Sequence, residues 1–344
     1  MPTEPPVEPA AEPQVLSLLE RALSSSCAAS LRAAVKLGLA DAVGDGPATV
    51  DSLARTVGAA PDALRRLLRS LTCHQVFAED SEARFLPTSI SRLLRTNTPD
   101  SLDQLVLWMT EPWTWELWGR LDESVRTGKD VFVDLHGQEF FDQVHSAWPE
   151  SAAVFDRAMT QASTQSARAV AGAVPLSGVR TVADIGGGQG YLLASLLEHH
   201  PELRGVLFDR PDVLAGADAR LREGGALAGR TRLVAGDCRE AVPGGIDAYV
   251  FKNVLGMNDE DAVVVLGNVV RTSRPGTAVI IVENLVDDGP GQMFSTGMDL
   301  RMLLTVGGRK HTRQSLLGLV ERAGLAVRDV CPVNTYQHLI EATV

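Results

Sequence analysis

The feature that most constrains the fold is a change of pattern at Gly178. Beyond it, apolar runs of strand length alternate with helical segments, which is typical of a parallel sheet with helices on both faces. A helix beginning near Thr312 is then followed by two strand-like runs, AVRDVCPV and HLIEATV, only a few residues apart. Because a parallel crossover needs about a dozen residues or more, this last pair must be antiparallel. The sequence therefore predicts an α/β domain whose mostly parallel sheet ends in an antiparallel C-terminal hairpin.

The half of the chain before this change has the spacing of helices. Apolar residues recur at helical spacing from Val15 to about Leu94, with helix starts predicted at Thr49 and Pro61 and a short hairpin in VFAEDSEARFLPT. Helices followed by a hairpin give a winged-helix-like order, which suits either DNA binding or packing against another subunit. The formal net charge of −11 favours a subunit interface, because DNA binding needs a basic surface.

These patterns divide the chain into four parts. We expect a disordered tail over 1–13, a winged-helix-like domain over 14–100, a helical linker and substrate-pocket region over 101–173, and a catalytic domain over 174–344. All five tryptophans fall between Trp108 and Trp148, where they form either ordinary core or a wall of a pocket for an aromatic substrate.

Composition bears on location and on metal binding. No stretch approaches the ~18 consecutive apolar residues of a membrane span, and the first residues lack the pattern of a signal peptide. The four cysteines are scattered without a CxxC pair, which indicates reduced thiols rather than a disulfide or zinc framework. We therefore expect a cytoplasmic protein with no metal, no membrane partner and no nucleic-acid partner.

The motif TVADIGGGQGYLLASLL predicts a cofactor-binding turn between a strand and a helix. Gly186 and Gly188 allow the backbone to bend sharply and to approach a ligand closely, which is also how dinucleotides are bound. Two details separate these alternatives. Tyr191 stands where the third glycine of the dinucleotide fingerprint would fall, and Asp184 brings a carboxylate that opposes a pyrophosphate but suits a cationic amino or sulfonium group. The motif therefore favours S-adenosylmethionine over NAD.

The following strands end in side chains that complete such a site. Asp209 ends the next strand, where an acid can accept hydrogen bonds from ribose hydroxyls. Asp237 and Cys238 end the third strand and could contact an adenine edge, and Lys252 ends the fourth. Because ligands bind at the carboxyl ends of strands in open α/β sheets, these residues are expected to converge on one crevice.

The motifs VADIGGGQG, VLFDRPDVL, AGDCRE, FKNVL, VENL and GGRKHT occur in the order found in the small-molecule O-methyltransferases, and the chain resembles that family over nearly its whole length. The family includes caffeic-acid-type plant enzymes and bacterial enzymes of aromatic polyketide biosynthesis. The resemblance implies a Rossmann-like class I methyltransferase sheet, a winged-helix-like dimerisation domain and a homodimer. It also implies that Gly186, Asp209, Asp237, Cys238 and Lys252 hold the cofactor.

One part of the family pattern is missing. The family carries Leu-His-Asp-Trp after the fourth strand, and its His is the general base that takes the phenolic proton; the matching residues here begin with Leu255 and Gly256. Of the two family glutamates that flank this His, the first matches Glu283 and the second falls on Lys310. The resemblance therefore retains Glu283 as the one expected catalytic side chain.

A displaced histidine could replace the missing base. His311 follows Lys310 in a loop that faces the pocket in the family, and His136 lies near a stretch that lines the family's substrate cavity. The alternative interpretation of His311 is a solvent-exposed residue at the start of a helix, before Thr312. Three further residues match a helix of the pocket wall in the family, although the methionines could equally be core filler: Met298, Asp299 and Met302.

Three functions follow from these observations. The first is an O-methyltransferase of antibiotic biosynthesis that acts on a phenolic intermediate, free or tethered to a carrier protein, by proximity or with a displaced base. The second is a family member that uses the bound cofactor in hydroxylation, decarboxylation or pericyclic chemistry. The third is a DNA-binding regulator, which the acidic charge and the cofactor motifs oppose.

Overall fold

The computed structural model describes residues 12–96, 98–287 and 289–344. These form two compact units with the boundary between Pro112 and Trp113. Of the tail expected over 1–13, residues 1–11 lie outside the described residues, and the first helix begins at Glu12. No helix of the described residues is long and apolar enough to cross a membrane.

The first unit consists of short helices and one hairpin. The side chain of Thr49 accepts a hydrogen bond from Ser52 N over 3.3 Å and so caps α4, while Pro61 occupies the first turn of α5, which confirms both predicted helix starts. The predicted hairpin is confirmed as an antiparallel pair with Phe77 opposite Pro87. The elements of this unit are α1 Glu12–Ala22, α2 Ser25–Lys36, α3 Leu39–Val43, α4 Val50–Val57, α5 Pro61–Cys73, β1 Phe77–Glu79, β2 Phe85–Pro87, α6 Ser89–Arg92 and α7 Asp103–Met109.

The second unit begins with helices and continues as alternating strands and helices. Helix α8, Pro112–Trp118, spans the boundary between the units. The helices that precede the sheet are α9 Leu121–Thr127, α10 Phe132–His136, α11 Phe140–Ala147 and α12 Pro149–Ala173. The sheet and its helices are β3 Thr181–Ile185, α13 Tyr191–His199, β4 Arg204–Asp209, α14 Pro211–Leu214, a 3-10 turn at Ala228–Arg230, β5 Thr231–Ala235, β6 Ala248–Lys252, α15 Asp259–Thr272, β7 Ala278–Glu283, α16 Gln292–Val306, α17 Arg313–Arg322, β8 Ala326–Pro332 and β9 His338–Thr343.

The seven strands of the second unit form one sheet in the order β5-β4-β3-β6-β7-β9-β8. Strands β3 to β7 pair in parallel, whereas β9 runs antiparallel to both β7 and β8. The predicted mostly parallel sheet with an antiparallel C-terminal hairpin is therefore confirmed. Because β3 pairs with β4 on one side and with β6 on the other, the strand order reverses at β3, and the carboxyl ends of these strands border a crevice.

The central strands are buried on both faces, as parallel strands covered by helices must be. In β6, Tyr249 and Phe251 pack into the cluster beneath α15 and α17, while Val250 packs on the opposite face, in a cluster that includes residues of α13. Apolar side chains on both faces keep the strands buried between helices. The polar residues at the strand ends therefore lie together at one edge of the sheet.

Candidate active site

A cavity of about 800 Å³ lies at the carboxyl ends of the central strands. One part of its wall comes from the strand ends: Gly186, Phe208, Asp209, Arg210, Gly236, Asp237, Cys238, Arg239, Asn253 and Val254. The other part comes from α11, α16 and the loops around them: Asp130, Glu139, Phe140, Phe141, Asp142, Gly256, Met257, Asn258, Asp261, Met302 and Val306.

The glycine-rich turn after β3 is held tightly against its neighbours. Gly186 has a φ of +61°, and a Cβ added to it would lie 2.9 Å from Cγ2 of Val254, so a side chain is excluded by conformation and by space. The amide N–H of Gly188 donates to Oδ2 of Asp209 over 2.8 Å. This bond fixes the turn relative to the end of β4.

The strand-end side chains of the cavity are ionic or polar. Burial raises the pKa of Asp209, against the lowering effect of hydrogen bonds from the backbone of Arg210 and Gly188. Asp237 is bound by the guanidinium of Arg239 over 2.6 Å, and this hydrogen bond lowers its pKa. Burial raises the pKa of Cys238 to about 11, so its thiol stays protonated at neutral pH.

Asp184 and Lys252 do not line the cavity, although both belong to strands that end at it. Asp184 is 1% exposed, and its Oδ2 has no hydrogen-bond partner among the described residues. Burial raises its pKa to about 7, and nearby Lys252 opposes that shift. Burial in turn lowers the pKa of Lys252, while Asp184 and Glu283 raise it. The turn therefore covers a carboxylate that lacks a full set of partners.

These residues fit S-adenosylmethionine. The unpartnered Oδ2 of Asp184 leaves an acceptor for a cation beside a turn that excludes side chains, and Asp209 places a carboxylate at the end of the next strand. Four of the residues predicted to hold the cofactor line the cavity: Gly186, Asp209, Asp237 and Cys238. Gly188 hydrogen-bonds to Asp209, and the remaining two, Asp184 and Lys252, do not line the cavity.

The opposite end of the cavity is apolar and aromatic, with carboxylates around it. Phe140 belongs both to the cavity wall and to an aromatic cluster, in which it lies 5.6 Å from Trp113 and 5.1 Å from Phe132 between ring centroids. Trp148 stacks on Trp113 at 6.0 Å. These two tryptophans are thus packing residues that support the wall formed by Phe140.

His136, predicted to bind substrate, belongs to this cluster and not to the cavity wall. Its ring lies 4.5 Å from Phe132 and 4.8 Å from Trp148, and burial lowers its pKa. Its Nε2 is buried without a hydrogen-bond partner among the described residues. An unprotonated ring packed among aromatic rings is therefore the form that the structure favours.

The position of the family's base is filled. A Cβ added to Gly256 would lie 2.6 Å from Cε of Met302, so the space that a histidine needs is occupied by a methionine of α16. Met302, which was predicted to bind substrate, lines the cavity. Met298 is half-buried, and Asp299 accepts a hydrogen bond from the backbone N–H of Lys310 over 2.7 Å, so Asp299 holds the loop rather than the cavity.

The two residues predicted to be catalytic lie behind this wall. Glu283 accepts the N–H of Leu255 at Oε1 over 3.2 Å and binds Nζ of Lys310 at Oε2 over 2.9 Å. His311 is 2% exposed, with Nε2 3.0 Å from the carbonyl oxygen of Leu255. The structure thus places Glu283 and His311 on either side of the Leu255 backbone, where neither side chain lines the cavity.

Several cavity residues escaped sequence analysis. Arg210 directly follows Asp209, and Arg239 lies two residues after Asp237. Both arginines could therefore have been predicted from their position beside a strand-end acid. Asn253 has a φ of +58° next to Lys252, and a left-handed non-glycine residue at a strand end is visible only in the structure. Phe140 and Asp130 belong to segments brought to the cavity by tertiary packing.

The strand order and the cofactor end of the cavity define an S-adenosylmethionine-dependent methyltransferase. Comparison with known proteins extends this conclusion: residues 118–326 match the O-methyltransferase domain, and residues 19–97 match the O-methyltransferase dimerisation domain. The chain therefore belongs to the S-adenosylmethionine-dependent O-methyltransferase family. The second match supports a homodimer.

Three relatives illustrate the range of this family. The mitomycin biosynthesis 6-O-methyltransferase of Streptomyces lavendulae is 34% identical over 94% of this chain and 91% of its own length. The calicheamicin-biosynthesis methyltransferase CalO1, solved with S-adenosylhomocysteine bound, is 32% identical with a TM-score of 0.88, covering 97% of this chain and 99% of that one. The aclacinomycin 10-hydroxylase RdmB of Streptomyces purpurascens is 33% identical over 87% of this chain and 81% of its own length.

Proposed function

We propose that this protein transfers a methyl group from S-adenosylmethionine to a hydroxyl group of an aromatic natural-product intermediate. The observation that carries the proposal is the single cavity in which the strand-end carboxylates Asp209 and Asp237 share a wall with Phe140, Phe141 and Met302. A cofactor held by the two carboxylates and a flat apolar acceptor packed on the phenylalanines and Met302 would occupy one continuous space.

The chain's contribution is positioning and exclusion of water. When bound, S-adenosylmethionine supplies an electrophilic methyl group on a positively charged sulfur. Gly186, Asp209 and Asp237 are proposed to hold the cofactor, and the apolar side chains opposite to hold the acceptor ring in line with it. Such positioning alone can supply on the order of 7–11 kcal/mol of the barrier, so the loss of a histidine base need not abolish methyl transfer.

The relatives support an aromatic acceptor. The similar proteins include a mitomycin methyltransferase, a phenazine O-methyltransferase and a 3-amino-4-hydroxybenzoate 4-O-methyltransferase, all bacterial and at 33–34% identity. We therefore propose a free small molecule as the acceptor.

Mass spectrometry tests this proposal directly. The purified chain is incubated with methyl-labelled S-adenosylmethionine and a panel of hydroxylated aromatic acids, phenazines and anthraquinones. Labelled product with a mass gain of one methyl group is the expected result. Cofactor binding by calorimetry without labelled product from any acceptor would contradict the proposal.

A second candidate function is hydroxylation with the cofactor bound but not consumed. It is favoured by Gly256, whose position cannot hold a base while Met302 occupies the adjacent space, and by the similarity to an aclacinomycin hydroxylase. The two functions differ in their need for the methyl group. Turnover that persists when S-adenosylhomocysteine replaces S-adenosylmethionine would favour the second candidate, and turnover that stops would favour methyl transfer.

A further inference from the structure

We propose that Asp130 is the general base of this site and takes the place of the missing histidine; the assignment rests on the proposed methyl transfer. Asp130 follows α9 and lies two residues before α10. It lines the same cavity as Gly256, Met302 and Val306.

The two carboxylate oxygens of Asp130 have different surroundings. Oδ1 accepts the backbone N–H of Val133 over 3.2 Å, which fixes the side chain at the start of α10. Oδ2 has no hydrogen-bond partner among the described residues. One oxygen therefore orients the carboxylate while the other remains able to accept a proton.

Oδ2 of Asp130 lies beside the glycine loop that packs against Gly256. A Cβ added to Gly307 would lie 3.6 Å from Oδ2, and a Cβ added to the next residue, Gly308, would lie 2.2 Å from the carbonyl oxygen of Gly256. Asp130 thus adjoins the loop that packs against Gly256, and Met302 lines the same cavity. Among the described residues, no histidine lines the cavity.

The acceptor end of the cavity is the part of its wall formed by α11, α16 and the loops around them. Its other carboxylates are less suited to act as the general base. Asp261 is engaged, because its Oδ2 accepts the side-chain amide of Asn258 over 3.0 Å. Glu139 and Asp142, on and beside the first turn of α11, are exposed, whereas Asp130 is half-buried. A base that is partly shielded from water and held by the backbone is the better positioned one.

The step balances without a further reactant. As the new O–CH₃ bond forms and the S–CH₃ bond breaks, the acceptor hydroxyl gives its proton to Oδ2 of Asp130, and the proton then passes to water. A free carboxylic acid has a pKa near ~4 and a phenol one near ~10, so a carboxylate is a weak base for an ordinary phenol. The acceptor class that fits is a phenol acidified by a conjugated carbonyl group but still mostly protonated at neutral pH, such as an ortho-carbonyl phenol.

The test compares Asp130→Asn with the wild-type chain on a labelled acceptor found by the panel above. Asparagine keeps an oxygen for the N–H of Val133, so the fold is preserved. At pH 7 we expect kcat to fall about 100-fold or more, within the range of general-base effects, with KM nearly unchanged. Asp134→Asn, which changes an exposed aspartate on α10 outside the cavity wall, is the matched control and should leave kcat unchanged.

The pH profile separates a base from a structural role. With Asp130 as the base, the wild-type rate should depend on pH much less steeply between about pH 6 and 8 than the rate of the variant. The Asp130→Asn rate should rise about tenfold per pH unit up to the pKa of the acceptor, because only the ionised phenol then reacts. A loss by the same factor at every pH would overturn the assignment.

Binding provides a readout without turnover. In the complex with S-adenosylhomocysteine, the pKa of a bound hydroxyanthraquinone is followed by its absorbance. A carboxylate beside the hydroxyl disfavours the phenolate, so Asp130→Asn should lower this pKa while Asp134→Asn should not. Equal values in all three proteins, or loss of activity in Asp142→Asn but not in Asp130→Asn, would overturn the assignment alone. Absence of methyl transfer by the wild-type chain would instead overturn the proposed function.

Discussion

Nζ of Lys310 lies 2.9 Å from Oε2 of Glu283, and the two side chains are only 7% and 2% exposed. In the family pattern both positions carry glutamate beside the histidine base; here one carboxylate has become an ammonium and the base position is Gly256. The pair neutralises charge behind the cavity wall, and through Oε1 of Glu283 it also holds the backbone N–H of Leu255.

Replacing one member of this pair should destabilise the fold. Lys310→Met leaves the carboxylate of Glu283 buried without its cation, which typically costs about 3–5 kcal/mol of unfolding free energy. The double variant Glu283→Gln/Lys310→Met removes both charges and keeps an acceptor for Leu255, so it should recover most of this loss. The unfolding free energies of the wild-type chain, the single variant and the double variant, obtained from urea unfolding, measure this loss and its recovery. If the double variant is as unstable as the single one, the pair does not act by charge compensation.

Restoring the family's histidine at Gly256 should not by itself restore a base. The Cβ of Gly256→His would lie 2.6 Å from Cε of Met302 and 3.2 Å from the carbonyl oxygen of Arg309. Because the flexible end of Met302 can shift, we expect a cost near the low end of the about 1–3 kcal/mol that overpacking typically causes. The double variant Gly256→His/Met302→Ala should regain stability, because the methionine end is removed. Thermal unfolding provides the measurement.

The control for this variant is Gly318→His, at a helical glycine where an added Cβ meets nothing within 4 Å. It should be destabilised much less than Gly256→His. Equal melting temperatures for the wild-type chain and Gly256→His would show that Met302 moves aside without cost.

The buried carboxyl of Asp184 should make stability depend on pH. Its pKa is raised from an ordinary value near ~4 to about 7, so between these values the folded chain holds a proton that the unfolded chain has lost. Stability is therefore greatest below about pH 4, as far as this group is concerned, and falls as the pH rises to about 7. Three pH units correspond to a loss on the order of 4 kcal/mol.

Asp184→Asn should remove this contribution, since an amide does not titrate. The measurement is the unfolding free energy of both proteins from pH 5 to 8 without cofactor, where the difference between them should change with pH and level off above about pH 7. A constant difference across this range would mean that Asp184 has the same pKa in the folded and unfolded chain.

Asp209 should determine cofactor affinity. Asp209→Asn retains an acceptor for the N–H of Gly188 but removes the charge available to ribose hydroxyls. Hydrogen bonds to charged groups contribute about 1.5–3 kcal/mol, so we expect roughly 10- to 100-fold weaker binding of S-adenosylhomocysteine by calorimetry. Asp212→Asn, which changes an exposed aspartate three residues on, should bind normally. Weakening of both to the same extent would indicate a general loss of negative charge rather than a specific contact.

The sequence by itself determined the fold and the cofactor end of the cavity. The strands are continuous apolar runs, the turn after β3 needs glycines, and Asp209 and Asp237 follow directly from the ends of their strands. In a parallel sheet every such strand end lies at the same edge, so their convergence follows from local patterns alone.

Only the tertiary structure decided the arrangement of the acceptor end. His311 is close to Gly256 in space, but packing turns its ring toward the carbonyl oxygen of Leu255, and His136 is held among aromatic rings. Asp130 reaches the cavity wall from a loop more than a hundred residues before Gly256 in the chain. Side chains on loops and helix ends carry no periodic pattern that fixes their direction, so which of them line the cavity depends on the packing of distant segments.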